Sequence, residues 1–252
     1  MSAWDATGGE ARALGRPRIH LRSTDSTNDR ARELALAGAP HGTLVTAGEQ
    51  TAGRGRQGRR WSAPAGSALL MSLLLREPPA LLPLIAALAV CDTAGEDARI
   101  KWPNDVVFVR GEDGEPGTLA KVAGILAEGR PQEGWAVLGI GLNVAVRVEQ
   151  LPAELHGTAA TLGRDPREVE PALQDLLVAL QRRLAEPAER TLDAWRARDA
   201  LRGRTIFWSA GEGRAEGVDG AGRLVVELAG GGRTTLDAGE VHLRLDGDSR
   251  SG

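Results

Sequence analysis

The sequence predicts an α+β fold: a largely antiparallel sheet with helices, followed by a small β-barrel. Three observations carry that expectation. Between Ile100 and Val144 β-rich runs follow one another with only turns between them, which implies three to four successive antiparallel strands in one sheet. Apolar residues recur at helical spacing after Ser26 and between Asp165 and Ala200, and Ala80–Thr93 is a long apolar run that reads as a buried helix. From Arg202 the chain turns Gly-rich with four short β runs, the pattern of a small antiparallel barrel of roughly forty to fifty residues. A chain of 252 residues can bury one full core and carry a second small domain.

Each element has a local reason. Residues 1–15 are polar and rich in small side chains, and are expected to be disordered. Ile19 and Leu21 begin a strand. Ser26 with Asp29 three residues on reads as a capping box opening a short helix to Leu36, which Gly38 stops. Thr43–Thr46 is a buried strand that enters a loop, Gly48–Trp61, and Ser67–Leu75 is the apolar strand that leaves it. Ala80–Thr93 reads as a buried helix, because Pro83 is tolerated in a first turn. Lys101-Trp102-Pro103-Asn104-Asp105 then leads into the β run Val106–Val109. A turn at Gly111–Gly117 brings back Lys121–Glu128 as the second arm of a hairpin, and Trp135–Val144 follows as the next strand.

Asp165-Pro166-Arg167-Glu168 has the form of a helix start, although Pro171 pushes the helix proper toward Glu170. Leu173, Leu176, Leu177, Leu180 and Leu184 give that helix one face. Pro187–Ala200 is a second helix with Leu192 and Trp195 turned inward. The barrel strands are Thr205–Trp208, Leu224–Leu228, Thr234–Leu236 and Val241–Leu245. The expected units are residues 16–200, residues 201–246 and a tail, 247–252.

Composition narrows the function. A formal net charge of −3 argues against a general nucleic-acid binder. The single cysteine, Cys91, lies in an apolar run. It rules out an internal disulfide or a Cys-rich zinc site and fits a reducing cytoplasm. His20, His41, His156 and His242 show no ligand spacing, so no metal cluster is expected. No signal peptide is evident. The longest apolar run, Ala80–Cys91, contains Pro83 and is too short to span a bilayer.

Against that acidic background, Gly48–Trp61 stands out. Arg54, Arg56, Arg59 and Arg60 alternate with Gly53, Gly55 and Gly58, and no acidic residue follows until Glu77. Glycine allows close backbone approach to a ligand, and arginine supplies forked donors for phosphate and carboxylate oxygens. Taken alone the stretch fits a phosphate-closing loop and an RNA-binding Gly/Arg segment equally well. Three further features join it: Lys101–Asp105, with a cation, an amide and a carboxylate at a strand end; Lys121; and Gly139-Ile140-Gly141-Leu142-Asn143, where two glycines on a strand permit close approach. Each has a structural reading by itself: a core aromatic and turn at Trp102-Pro103, an edge charge at Lys121, a bulge at Gly139–Gly141.

G-R-G-R-Q-G-R-R-W, then K-W-P-N-D, then K-V-A-G-I-L, then G-I-G-L-N resembles the biotin protein ligases in order and spacing, over about Ile19–Leu245. The resemblance implies a catalytic domain of the biotin/lipoate ligase class, with helices on one side of its sheet, and an SH3-like barrel after it. It also implies the ligase-only form without specific DNA binding, since the motifs begin too early for an N-terminal helix-turn-helix domain. Carried over by residue, it assigns Ser26, Thr27, Gln50, Gly53, Arg54, Lys121, Gly139 and Gly141 to biotin. It assigns Arg54, Gly55, Arg56, Gly58, Arg59, Trp61, Lys101, Asn104, Asp105 and Asn143 to ATP or the adenylate. Lys121, Arg54 and Arg56 are the catalytic set, with Trp102 and Ile125 in the apolar wall. Gln57 is uncharged where some relatives carry Arg or His, and Arg60 is doubled onto Arg59.

The implied reaction uses biotin, ATP and Mg²⁺, the metal near Asp105 with no ligand set assigned, and modifies a lysine of a biotin carboxyl carrier protein. The implied protein is cytoplasmic, not membrane-bound, and a monomer or homodimer. A lipoate ligase shares the fold and the adenylation step, and is disfavoured by the G-R-G-R-x-G pattern. An RNA-binding module stacking bases on Trp61 is disfavoured by the acidic charge and by Lys101 and Lys121.

Overall fold

The computed structural model describes residues 13–111, 117–130, 133–238 and 244–245. The expectations for residues 1–12, for the turn at 112–116, for 241–243 and for the tail lie outside the described residues. Residues 13–15, expected to be disordered, are instead tied to the fold, with Leu14 against the core and the Gly15 N–H donating to the Gly42 carbonyl (2.9 Å).

Seven strands form the main sheet: β1 (Arg18–Leu21), β2 (Leu44–Ala47), β3 (Ala68–Arg76), β4 (Arg99–Lys101), β5 (Asp105–Arg110), β6 (Thr118–Arg130) and β7 (Trp135–Asn143). Their order across the sheet is β1-β2-β3-β7-β6-β5-β4. Every pairing is antiparallel except β1 with β2, which run parallel because helix α1 (Thr27–Leu36) makes the crossover between them.

Strand residues alternate between the two faces, so each strand supplies two surfaces. Leu44, Leu73 and Leu138 pack on one face with α2 (Leu82–Ala94), α3 (Val169–Leu184) and α4 (Ala188–Ala197). Ten of the thirteen residues of α2 are buried, which is why its sequence is apolar all round: it is enclosed by the sheet and by α3 and α4. Val45, Leu74 and Val137 point the other way, onto Ala31 and Ala35 of α1. The helices therefore do not lie on one side of the sheet, as the resemblance had suggested. The parallel β1–α1–β2 crossover carries α1 over the opposite face.

Two helix starts behave differently. Asp165 and Glu168 form the expected capping box on a turn of 3₁₀ helix, and α3 begins at Val169, so Pro171 falls in its first turn without conflict. Ser26 is the N-cap of α1 but makes no side-chain capping bond. Its predicted partner Asp29 is ion-paired to Arg54 and Arg32 instead. The first turn of α1 holds other segments in place, and the capping box is absent for that reason. Gly38 follows the helix with φ +83°, as a stop should.

The C-terminal strands β8 (Thr205–Trp208), β9 (Gly211–Val218), β10 (Leu224–Glu227), β11 (Arg233–Leu236) and β12 (Arg244–Leu245) form one antiparallel sheet ordered β11-β10-β9-β8-β12. Strand β9, with the sequence GEGRAEGV, carries no apolar run and is missing from the sequence reading. Its inward positions are small because a Cβ at Gly213 would collide with the Glu227 carbonyl of β10. Among the described residues, no helix is long and apolar enough to cross a membrane.

Candidate active site

The site lies on the α1 face of the main sheet, where three neighbouring strands leave a hollow. Ser72 of β3 pairs with Gly139 of β7, and Gly139 with Leu126 of β6; one step along, Gly141 pairs with Gly124. The glycines keep the floor open. A Cβ at Gly139 would collide with the Asn28 amide, and one at Gly141 would sit 2.5 Å from the Trp61 ring.

At one end of the hollow is a buried polar cluster. The Gln50 Oε1 accepts from the Thr27 backbone N–H (2.7 Å) and from the Thr27 hydroxyl (3.0 Å). The Ser72 hydroxyl lies 2.8 Å from Thr27 Oγ1 and also reaches Asn28 Oδ1. Four oxygens thus share two hydroxyl protons. A cluster so rich in acceptors suits a ligand that brings N–H donors, since unmatched buried polar groups are costly.

The opposite end is cationic. The Gly/Arg stretch is a built hairpin: Trp61 N–H donates to the Gly53 carbonyl (2.9 Å), Gly55 N–H to the Arg59 carbonyl (2.8 Å), and Arg56–Gly58 forms the tip. Gln57 sits at φ +54° in that tip and lines both the cavity and the recess beside it. Arg56 is half-buried and donates to Asn104 Oδ1 at 3.2 Å, which ties the tip to the β4–β5 turn. Burial pushes the Arg56 pKa down, Asp105 opposes this and Arg59 adds to it; an arginine stays charged regardless.

Lys121 stands between the two ends. A bulge in β6 near Val106/Val107 and hydrogen bonds to Thr158 and Ala160 fix its backbone. Its Nζ lies 2.6 Å from Asp105 Oδ1 and 5.5 Å from the centre of the Trp61 ring.

The cavity enclosed between these groups is about 300 Å³. Ser26, Thr27, Gln50, Arg54, Gly55, Arg56, Arg59, Trp61, Lys101, Asn104, Asp105, Lys121, Gly139 and Gly141 all line it, as do Trp102 and Ile125. Gly53 and Gly58 line an adjoining recess on the far side of the hairpin. Asn143 lines neither. It is buried, and its amide donates to the Ala160 carbonyl (2.8 Å), so it anchors the segment that braces Lys121 and does not reach the cavity. Arg54 is also placed differently from the expectation. It touches the cavity wall, but its guanidinium is held by Asp29 (2.6 Å) and Glu128 (2.8 Å).

The polar and glycine positions Asn28, Ser72, Gly124 and Glu128 are among those absent from the sequence-based site. Ser72 had a signal, a hydroxyl in the middle of the apolar run Leu69–Leu75, and Gly124 had one as a glycine inside a strand. Glu128 had none, because its partners are 74 and 100 residues away. Trp102 is buried, and its ring N–H donates to the Gly222 carbonyl (3.1 Å), joining the β4–β5 turn to the C-terminal sheet. Among the described residues no group of three or more His, Cys, Asp or Glu gathers as a metal site.

Comparison with known proteins agrees with this geometry. Residues 20–144 match the model of the biotin/lipoate A/B protein ligase family, and residues 202–244 match the biotin protein ligase C-terminal domain. The chain is 35% identical over 247 residues to a biotin–[acetyl-CoA-carboxylase] ligase of Paracoccus denitrificans, covering 88% of this chain and 98% of that protein. It is 34% identical over 251 residues to the enzyme of the same name from Mycobacterium tuberculosis, covering 89% and 88% respectively. The biotin protein ligase of Aquifex aeolicus, solved in complex with biotin and ATP, superposes with a TM-score of 0.74 at 27% identity, over 91% of this chain and 99% of that one. With its motifs, its fold and these relatives in agreement, the chain belongs to the biotin protein ligase family.

Proposed function

We infer that this chain activates biotin with ATP to biotinyl-5'-AMP and transfers the biotinyl group to a lysine of a biotin carboxyl carrier domain. The observation that carries the reading is the position of Lys121, between an acceptor-rich hollow and a cationic mouth. Biotin offers two ureido N–H donors, an apolar ring and chain, and a terminal carboxylate. The hydroxyl cluster suits the first, the glycine floor under Trp61 the second, and Lys121 the third.

A carboxylate and an amine do not condense at neutral pH, because the carboxylate is a poor electrophile and hydroxide a poor leaving group. In the first step a biotin carboxylate oxygen attacks the α-phosphorus and pyrophosphate leaves. Both reactants are anionic, so Lys121, Arg56 and Arg59 lower the cost of their approach and stabilise the charge that develops on the phosphoryl oxygens. In the second step the carrier's lysine amine attacks the biotinyl carbonyl, an amide bond forms, and AMP leaves with the C–O bond electrons. The Gly/Arg hairpin covers the adenylate and excludes water.

The triphosphate would bring Mg²⁺ as its counter-ion. Asp105 is the carboxylate on the cavity wall, and one carboxylate plus substrate phosphates is an ordinary donor set for this ion. Held there it would supply further neutralising charge. Lys101 and Asn104 flank the nucleotide end. We divide the chain into a catalytic unit, 16–200, and a C-terminal unit, 201–246, whose Gly222 turn supports Trp102. The thiol of Cys91 is buried and its pKa is pushed up to about 12 by burial, so it is no nucleophile, in keeping with a cytoplasmic enzyme that forms no covalent intermediate.

Mass spectrometry of a biotin-accepting carrier domain incubated with this chain, biotin and MgATP tests the reading. A mass gain of one biotinyl group on the acceptor lysine is expected. Gain with lipoate and none with biotin would move the assignment to a lipoate ligase.

A further inference from the structure

The Arg54 guanidinium is committed to two carboxylates on different elements: Asp29 in the first turn of α1 (2.6 Å) and Glu128 on β6 (2.8 Å). Arg32 flanks the same pair at 3.3 and 3.2 Å. Arg54 lies in the arm of the Gly/Arg hairpin that faces Arg60, so fixing its side chain fixes the arm that carries Arg56 and is closed by Trp61.

The second Glu128 oxygen accepts from the Asn28 amide at 2.9 Å. Asn28 in turn accepts from Ser72, and Ser72 meets the Thr27 hydroxyl that holds Gln50. One run of hydrogen bonds therefore joins the ring end of the cavity to the base of the hairpin. Asn28 and Ser72 are buried, so this connection is shielded from solvent competition, while the ion pairs at its outer end are part-exposed and open to screening by salt.

We propose that Asp29 and Glu128 are positioning residues that latch the Gly/Arg hairpin closed through Arg54, and that Arg54 serves this latch and not the phosphates. The adenylate-retention half of the proposal rests on the functional reading above; the closure half rests on geometry alone. A phosphate ligand and a latch residue make different predictions. Loss of a phosphate contact raises KM for ATP whatever residue stands at 128. Loss of a latch opens the hairpin, and the effects of Arg54 and Glu128 do not add, because either change breaks the same pair.

The test uses the full chain with Glu128→Gln, Arg54→Met, the double variant and Arg54→Lys. Glu128→Gln is isosteric and keeps an acceptor for Asn28, so the melting temperature should stay near wild type. The first readout is the rate of tryptic cleavage after Arg56, Arg59 and Arg60, which needs no substrate. Cleavage in Glu128→Gln and Arg54→Met should rise roughly three- to tenfold, the scale of an exposed ion-pair network. The double variant should be no faster than the singles, Arg54→Lys should recover part of the protection, and 0.5 M NaCl, roughly a 4 Å screening length, should narrow the gap. The second readout is the dissociation rate of biotinyl-AMP, expected to rise by a similar factor with KM for ATP little changed. Unchanged cleavage in Glu128→Gln, or additive effects in the double variant, would overturn the latch. A wild type that makes no biotinyl-AMP while the cleavage pattern holds would overturn the functional reading and leave the latch standing.

Discussion

The two faces of the main sheet are built from the same strands and serve opposite ends. On β7, Leu138 and Leu142 point into a dense core with α2, while Gly139 and Gly141, their immediate neighbours, open a hollow on the side of α1. On β3, Leu73 is core and Ser72 is part of the polar cluster. The closed face is filled to stabilise the fold; the open face is left unfilled so that a ligand can complete it. The alternation of side chains along a strand lets one segment do both, and the rigidity of the closed face is what keeps the open one from collapsing.

The largest effect should come from the charge at the edge of the open face. Lys121→Ala removes the cation between the hollow and the mouth, and should slow biotin-dependent pyrophosphate release by about a hundred- to a thousandfold. Its side chain is not core, so thermal denaturation should show little change. Pyrophosphate release near the wild-type rate would mean that Lys121 is not where the anions meet.

Adjacent positions on β7 give the sharpest contrast. Leu138→Ala empties space on the closed face and should cost roughly 2–5 kcal/mol of stability in a denaturant titration. Biotin affinity of the protein that remains folded should be nearly unchanged. Gly139→Ala adds a methyl group where the Asn28 amide sits. It should weaken biotin binding by calorimetry about five- to a hundred-and-fiftyfold, the equivalent of 1–3 kcal/mol of overpacking, with a smaller loss of stability. If both variants fail in the same way, the two faces are not independent.

Much of this was legible in the sequence, for reasons that differ between the faces. The closed face announces itself by continuous apolar runs: Ser67–Leu75, Ala80–Thr93 and Trp135–Val144 each became the element expected. The open face was legible only where glycines, arginines and lysines stand in ordered motifs. What the motifs could not reveal is pairing at long range. The pairing of Arg54 with Glu128, 74 residues away, leaves no mark in the motif that contains Arg54. Asn143 reads as a ligand contact until it is seen donating to Ala160. Strand β9 was missed because small residues that let strands approach carry no apolar signature.

At the hairpin tip the expected effect is moderate. Arg56→Gly removes the donor that ties the tip to Asn104 and gives the open ensemble more entropy. A hydrogen bond to a charged group contributes roughly 1.5–3 kcal/mol, so adenylate escape should rise about ten- to a hundredfold. Streptavidin blotting of serum albumin incubated with each protein, biotin and MgATP checks this: bystander lysines should be labelled more by the variant. Equal labelling, with biotinyl-AMP production confirmed in both, would show that Arg56 does not retain the intermediate.

The smallest effect concerns how the two sides treat a carboxylate. Near the open face Asp105 is half-buried against Lys121, and the pair lines the cavity. On the closed side Asp199, just beyond α4, has no ion-pair partner among the described residues. Its Oδ1 accepts from the Leu201 backbone N–H (2.8 Å), while Oδ2 is buried without a hydrogen bond. Burial pushes its pKa from 3.8 up to about 6, with the Leu201 and Arg202 backbone bonds opposing. A carboxyl whose pKa is raised on folding favours the folded state when protonated. Below pH 3.8 both states hold the proton and no penalty exists; as pH rises toward 6 the unfolded chain releases its proton first, and stability falls; above 6 the penalty is constant. Asp199→Asn keeps the acceptor for Leu201 and removes the charge, so it should stabilise the protein by about 1 kcal/mol near neutral pH, the excess over that being offset by the new amide donors. Near pH 4 the advantage should vanish. Denaturant titrations of both proteins at the two pH values check the sign, and a difference that stays the same across that range would mean that Asp199 is not carrying a buried charge.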